Sequence, residues 1–111
     1  IYLDIFAFMC NNEYMDALKV QTLANFLKAI GEFNRLSLVY KLCQCKTPQN
    51  VMCLCECCDV DASVVSRHLK ILAQEGIVKL DKKGRERVYV LDRKNVATKL
   101  RDFANLIETD I

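Results

Sequence analysis

Ala62-Ser63-Val64-Val65-Ser66-Arg67-His68-Leu69-Lys70-Ile71-Leu72-Ala73-Gln74, followed by Glu75-Gly76-Ile77-Val78, is the stretch that decides the fold. Val65, Leu69 and Leu72 recur at helical spacing and face one way, while Val64, Ser66, Arg67, His68 and Lys70 fall largely elsewhere. Asp61 stands at the N-cap position, and Gly76 stands where a helix C-terminus favours glycine. The segment therefore reads as a helix over 62–74 with a polar, basic outer face. Directly behind it, Ile77 to Leu80 and Val88 to Leu91 are β-prone. They flank Asp81 to Arg87, which holds Gly84 at its tip and the basic residues Lys82, Lys83, Arg85 and Arg87. That is the pattern of a basic hairpin.

Working toward the N-terminus, Asp59-Val60-Asp61 is a turn, and Val51 to Cys58 is a short helix whose conventional core residue is Leu54. A short helix, a tight turn and a longer polar-faced helix make a helix-turn-helix over 51–75. The hairpin over 77–91 is then a wing. Lys46 to Asn50 is a polar loop holding the sole proline. Two further helices precede it: Met15 to Ile30, with Leu18, Val20, Leu23, Phe26, Leu27 and Ile30, and Phe33 to Cys45, with Leu36, Val39, Tyr40 and Cys43 on one face. A last helix spans 92–109, with Val96, Leu100, Phe103 and Ile107 as its stripe. Residues 1–14 are an N-terminal extension. The expected architecture is one mainly α domain over 1–111 with a small β-hairpin, a winged helix-turn-helix.

Composition agrees. The 111 residues are 52% apolar and 27% charged, which suits one modest core and argues against disorder. The longest apolar stretch, Ile1 to Met9, is broken by Asp4 and is half the ~18 residues a membrane span needs. The net charge of +2 is unevenly placed. From Asp61 to Arg101 there are eleven Lys+Arg against five Asp+Glu, hence +6; elsewhere there are five against nine, hence −4. A basic half suggests a face for phosphates and leaves the other half free for self-association.

A recognition helix offers its N-terminal residues to base edges in the major groove. Here those are Ala62, Ser63, Val64, Ser66 and Arg67, with Lys70 one turn on. Arg67 suits bidentate reading of guanine, Ser63 and Ser66 a base or phosphate, and Val64 a thymine methyl. Lys83, Arg85 and Arg87 on the wing suit phosphates, which set register rather than sequence. Alone, each also fits an ordinary solvated face.

Seven cysteines stand out, six of them between Cys43 and Cys58. An odd, crowded set fits a closed disulfide framework poorly, because residues two apart do not easily reach disulfide geometry. In a reducing cytoplasm such a cluster reads as metal-binding or redox-sensing. Cys53, Cys55 and Cys58 form Cys-x-Cys-x-x-Cys, and soft thiolates select soft ions. Trivalent arsenic and antimony take three sulfurs in a pyramid. On a helix Cys55 can meet Cys58, and Cys53 can meet Cys57. Cys53 and Cys55 near the helix start are the first candidates, Cys58 the third and Cys57 the fourth. Cys43, Cys45 and Cys10 are secondary candidates, and Cys43 also continues an apolar stripe. Cys55-Glu56-Cys57-Cys58 also contains a Cys-x-x-Cys, but no strand precedes it as a thiol oxidoreductase requires. No phosphate loop, Ser-His-Asp set or His-based metal motif suggests another enzyme. An interaction module with a structural zinc site is the remaining class, and zinc prefers four ligands.

Ser66 to Val78 resembles the recognition helix and first strand of the ArsR/SmtB family, dimeric winged-helix repressors that sense metals or reactive sulfur. Phe26-Leu27-Lys28-Ala29-Ile30-Gly31, followed by Asn34-Arg35-Leu36, is similar to that family's first-helix signature, and the resemblance runs from Phe26 to Leu91. Phe33-Asn34 stands where an acidic residue and Thr are usual, and His68 falls on the family's usual His. The resemblance implies a homodimer through the first and last helices, bound to double-stranded operator DNA and lodged in the cytoplasm. It implies no resident cofactor. The arsenic-responsive branch carries the Cys-x-Cys-x-x-Cys spacing at the start of the helix before the reader, which implies arsenic or antimony as inducer. Aligned without a gap, however, Leu54 takes the core Leu, Cys55 matches only the third thiol, and Cys53 falls on an acidic position. Cys57 and Cys58 then take small and apolar core positions. Cadmium, lead or zinc, or oxidation of the same thiols, are the alternative inducers. Some cadmium and lead sensors complete a site with N-terminal thiols, where Cys10 lies. Zinc sensors carry a His-containing pattern in the last helix, which this chain lacks. Reactive-sulfur sensors pair a second-helix thiol with one in the last helix, and residues 92–111 contain no Cys.

Overall fold

The computed structural model describes residues 12–109. Among them are five α-helices, a 3₁₀ turn and one hairpin. The order is α1 Asn12–Ile30, α2 Phe33–Gln44, α3 Val51–Leu54, the 3₁₀ turn Cys55–Cys57, α4 Ala62–Gln74, β1 Val78–Lys83, β2 Glu86–Leu91 and α5 Arg93–Glu108. Helix α1 starts at Asn12, three residues before the expected Met15. Cys10 and the apolar stretch Ile1 to Met9 lie outside the described residues.

The core forms where α4 drives its apolar stripe inward. Val65, Leu69 and Leu72 are each 0% exposed, as are Phe26 of α1, Leu38 of α2, Leu54 of α3 and Ile77. Burying side chains of this size stabilises by about 1.5–3 kcal/mol each. Lys99 of α5 lays its ammonium over the Phe26 ring, 5.1 Å from its centre, and so covers the core from the side of the last helix.

Helix α4 ends as the glycine predicted. Gly76 has φ 71°, its N–H bonds Ala73 O at 3.1 Å, and Ile77 N–H bonds Leu72 O at 2.9 Å. This is a Schellman closure, with Ile77 and Leu72 buried as its apolar pair. The start differs from expectation. Asp61 is at the N-cap position, but its side chain makes no capping bond.

The wing is longer than its apolar residues implied. Strands reach Lys83 and resume at Glu86, leaving Gly84-Arg85 as the whole turn. A two-residue hairpin turn requires a positive φ, and Gly84 supplies it at 64°. The register that follows pairs Lys82 with Arg87 and Lys83 with Glu86. Charged residues are thus carried within the ladder rather than in a loop. Gln49 adds a third partner: its N–H bonds Tyr89 O at 3.0 Å, and Tyr89 N–H bonds Gln49 O at 2.7 Å.

Two other expectations are corrected. Helix α2 buries Leu38, Val39 and Leu42, while Leu36, Tyr40 and Cys43 are exposed. The helix carries two apolar stripes, and the fold uses the one sharing Val39. Cys43 is therefore not a packing residue. The short helix over 51–58 is α-helical only to Leu54; Cys55–Cys57 tightens to 3₁₀ and Cys58 is extended, with φ −129° and ψ 137°.

Candidate nucleic-acid interface and thiol cluster

The outer face of α4 and the wing strand β2 enclose a cleft of about 530 Å³. Ser63, Ser66, Arg67 and Lys70 line it from the helix, and Arg87 from the wing. Five expected contacts thus meet in one place. Four further residues line it that sequence reasoning missed: Val51, Ala73, Leu80 and Tyr89. Leu80 is 46% exposed, an unusual cost for a wing strand unless something covers it. Ala62, Lys83 and Arg85 are exposed outside the cleft, and Val64 is half-buried. Lys82 directly opposite Arg87 is a like-charge pair, unfavourable on its own and relieved by an anion.

His68 takes no part in this face. Its ring is 15% exposed, with Nδ1 at 3.3 Å from an Arg35 nitrogen and 4.0 Å from Glu32 Oε2. Arg35 in turn donates through Nε to Ala29 O at 2.6 Å and through a terminal nitrogen to Lys28 O at 3.4 Å. Glu32 accepts the Arg35 backbone N–H at 2.9 Å and so caps α2. Burial tends to raise the Glu32 pKa, but the Arg35 and Asn34 backbone bonds, with His68 and Arg35 beside it, outweigh that and lower it. The His68 position is thus a packing hub joining the end of α1, the start of α2 and the reader helix.

The thiols divide into three settings. Cys53 is exposed on α3, and its N–H is capped by Asn50 Oδ1 at 2.9 Å. Cys55, Cys57 and Cys58 are half-buried and pack against the core beside Leu54. Cys57 Sγ donates to Leu54 O at 3.0 Å, and Cys58 Sγ to Asn34 O at 3.7 Å. Burial, then the neighbouring Cys57 and Cys55 thiols and Glu32, push the Cys58 thiol up to about 11. Cys43 and Cys45 sit apart, lining a cavity of about 450 Å³ with Lys46, Val90 and Arg93. One Arg93 nitrogen donates to Leu42 O, Cys43 O and Cys45 O at 3.0–3.1 Å, closing the C-terminus of α2. Among the described residues, no three His, Cys, Asp or Glu side chains are close enough together to hold a metal ion.

A second apolar region lies between α1 and α5. Leu18, Thr22 and Leu23 face Lys99, Phe103 and Leu106 across a groove of about 420 Å³. Leu18, Leu106 and the adjacent Ile107 are 48%, 69% and 67% exposed. No helix among the described residues is long and apolar enough to cross a membrane.

The model of the bacterial regulatory protein, arsR family, matches residues 34–79, from the start of α2 into β1. A solved structure of a possible transcriptional regulator for arsenical resistance is 31% identical, covering 78% of this chain and 86% of that one, with a TM-score of 0.66. An ArsR-like transcriptional regulator from Rhodococcus sp. RHA1 shares the fold at 22% identity, 79% and 81% coverage and a TM-score of 0.68. So does the homodimeric winged helix-turn-helix DNA-binding domain of a possible ArsR-family regulator from Mycobacterium bovis, at 21% identity, 82% coverage of each chain and a TM-score of 0.66. The basic cleft beside a closed reader helix and these likenesses agree: the chain belongs to the ArsR family and is a winged helix-turn-helix, DNA-binding transcriptional regulator.

Proposed function

We propose that this regulator is a cytoplasmic homodimeric repressor, released from operator DNA when its thiols take up trivalent arsenic or antimony. The observation that carries the reading is that Cys53, Cys55, Cys57 and Cys58 all fall in the short segment directly before the reader helix, the last three of them packed against the core. The likeness to a regulator for arsenical resistance supports the same ion. Three soft sulfurs suit it, with Cys53 and Cys55 as the first two and Cys58 or Cys57 as the third. The thiols stand ungathered, so taking up an ion requires the 3₁₀ turn to rearrange. That rearrangement links ion to DNA. The ion binds the free protein more tightly than the DNA-bound one, and a 100-fold shift corresponds to about 2.7 kcal/mol of coupling.

On DNA, Arg67, Ser63, Ser66 and Lys70 read or flank base edges, and Lys83, Arg85 and Arg87 hold phosphates. Two copies join through the α1–α5 groove. A second copy seated on the exposed Leu18, Leu106 and Ile107 covers them, and the homodimeric relative supports that arrangement.

The test is fluorescence anisotropy of reduced protein on its own promoter DNA, titrated with arsenite. Release at about one ion per subunit is expected. Tight binding that ignores arsenite but yields to cadmium, lead or zinc would replace the ion and keep the switch.

A further inference from the structure

Asn50 closes the polar loop that begins at Lys46, and it makes two bonds in opposite directions. Its Oδ1 accepts the Cys53 N–H at 2.9 Å and so caps the helix that begins the thiol segment. Its amide nitrogen donates to Glu86 Oε1 on the wing, 36 residues away. Beside it, Gln49 and Tyr89 exchange both backbone bonds, so the wing strand is fastened to this loop at two adjacent points. The backbone fastening is blind to side chains; the Asn50 bridge is not.

Glu86 is the one acidic side chain from Lys82 to Arg87, placed between Arg85 and Arg87 and opposite Lys83. Left free, its carboxylate would pair with those cations and repel phosphate. Held by Asn50, it is turned toward the thiol segment, and the basic residues are left for DNA. We propose that Asn50 is a positioning residue that joins the wing to the thiol segment, so that a disturbance at Cys53 is felt at Arg85 and Arg87. The transmission rests on the thiol reading above. If Cys53 or Cys55 is drawn toward an ion, the first turn of α3 shifts, the cap geometry shifts with it, and the amide leaves Glu86. The freed carboxylate then competes with DNA for the wing cations.

The experiment uses a variant that keeps the cap and loses the bridge. Asn50→Asp still accepts from Cys53 N–H, since Asp is a good N-cap. It cannot donate to Glu86, and two carboxylates then face each other. Operator affinity is measured by anisotropy with and without arsenite, and thermal midpoints confirm folding. Wild type is expected to lose about 100-fold in affinity on arsenite. Asn50→Asp is expected to bind about 5–10-fold more weakly without arsenite and to retain less than a 10-fold response. Adding Glu86→Gln supplies a donor in the reverse direction, so the double variant is expected to regain both the affinity and most of the response. A role in helix capping alone predicts that Asn50→Asp behaves as wild type, and that result would overturn the bridge. A wild type that responds, with an Asn50→Asp that responds equally, would also overturn it. A wild type that ignores arsenite and other thiophilic ions would instead overturn the thiol reading and the transmission built on it.

Discussion

The reader helix and the thiol segment are neighbours in the same helix-turn-helix, yet they are built by opposite rules. Helix α4 runs 13 residues, anchors three side chains at 0% exposure and is closed by a glycine in the left-handed region. The thiol segment has four α-helical residues, then a 3₁₀ turn, and a single fully buried anchor, Leu54. Short 3₁₀ stretches have poorer hydrogen-bond geometry and rearrange readily. A regulator needs both kinds of element: a surface that keeps its shape for DNA, and a support whose shape can change at little cost.

The comparison is broken most directly in the core. Leu69→Ala is expected to destabilise by about 2–5 kcal/mol, read by denaturant unfolding. Cys57→Ala, in the half-buried support, is expected to lose less than about 1 kcal/mol. Similar losses at both sites would mean that the thiol segment is as rigid as the reader. Next in size is Cys55→Ser, expected to keep operator affinity within about 2-fold while the arsenite response of about 2.7 kcal/mol disappears. If DNA binding vanished instead, Cys55 would be a packing residue. Within the reader surface, Arg67→Ala is expected to cost about 1–3 kcal/mol on the preferred operator and to relax preference at one base pair. Arg85→Ala should weaken all sequences alike and reduce the salt slope by about 0.9. An Arg67→Ala variant that weakened all sequences equally would move that residue to the phosphates.

The smallest effect concerns alkali. The Cys58 thiol is held up to about 11 in the fold, against an ordinary value of 9.0. Its contribution to stability is complete below pH 9 and is lost as pH rises toward 11. Cys58→Ala should therefore flatten the alkaline limb of a melting-temperature profile between those values. An unchanged limb would place the titrating group elsewhere.

How much could be read beforehand follows the same division. The inward face of α4, Gly76 as its stop and Gly84 at the wing tip were legible because period and positive φ are local properties. The cleft followed from them, since Ser63, Ser66, Arg67 and Lys70 are what the buried stripe leaves outside. The core face of α2 was not legible, because two apolar stripes compete along one helix and only packing chooses Leu38, Val39 and Leu42. The strands' reach to Lys83 and Glu86 was hidden by charged residues that the register tolerates. Arg93 and Asn50 act across 48 or more and 36 residues, beyond any local pattern. One signal for Asn50 did exist: Asn directly before an apolar helix start is a capping pattern. The Glu86 bond had no such trace.

The exit from the reader helix carries one more consequence. Gly76 O accepts Asn95 Nδ2 at 2.7 Å, and Asp92 N–H bonds Ile77 O at 2.9 Å, so the end of α4 is bolted to the first turn of α5. A side chain at Gly76 would meet Asn95 Nδ2 at 2.9 Å as well as a strained backbone. The angle of the reader is thus set by its buried stripe, by the His68 contacts and by this bolt, none of which uses the side chains of Ser63, Ser66, Arg67 or Lys70. For inheritance and for engineering alike, those four positions are free to be rewritten. Substitutions there are expected to change the outer face of the helix without re-aiming it.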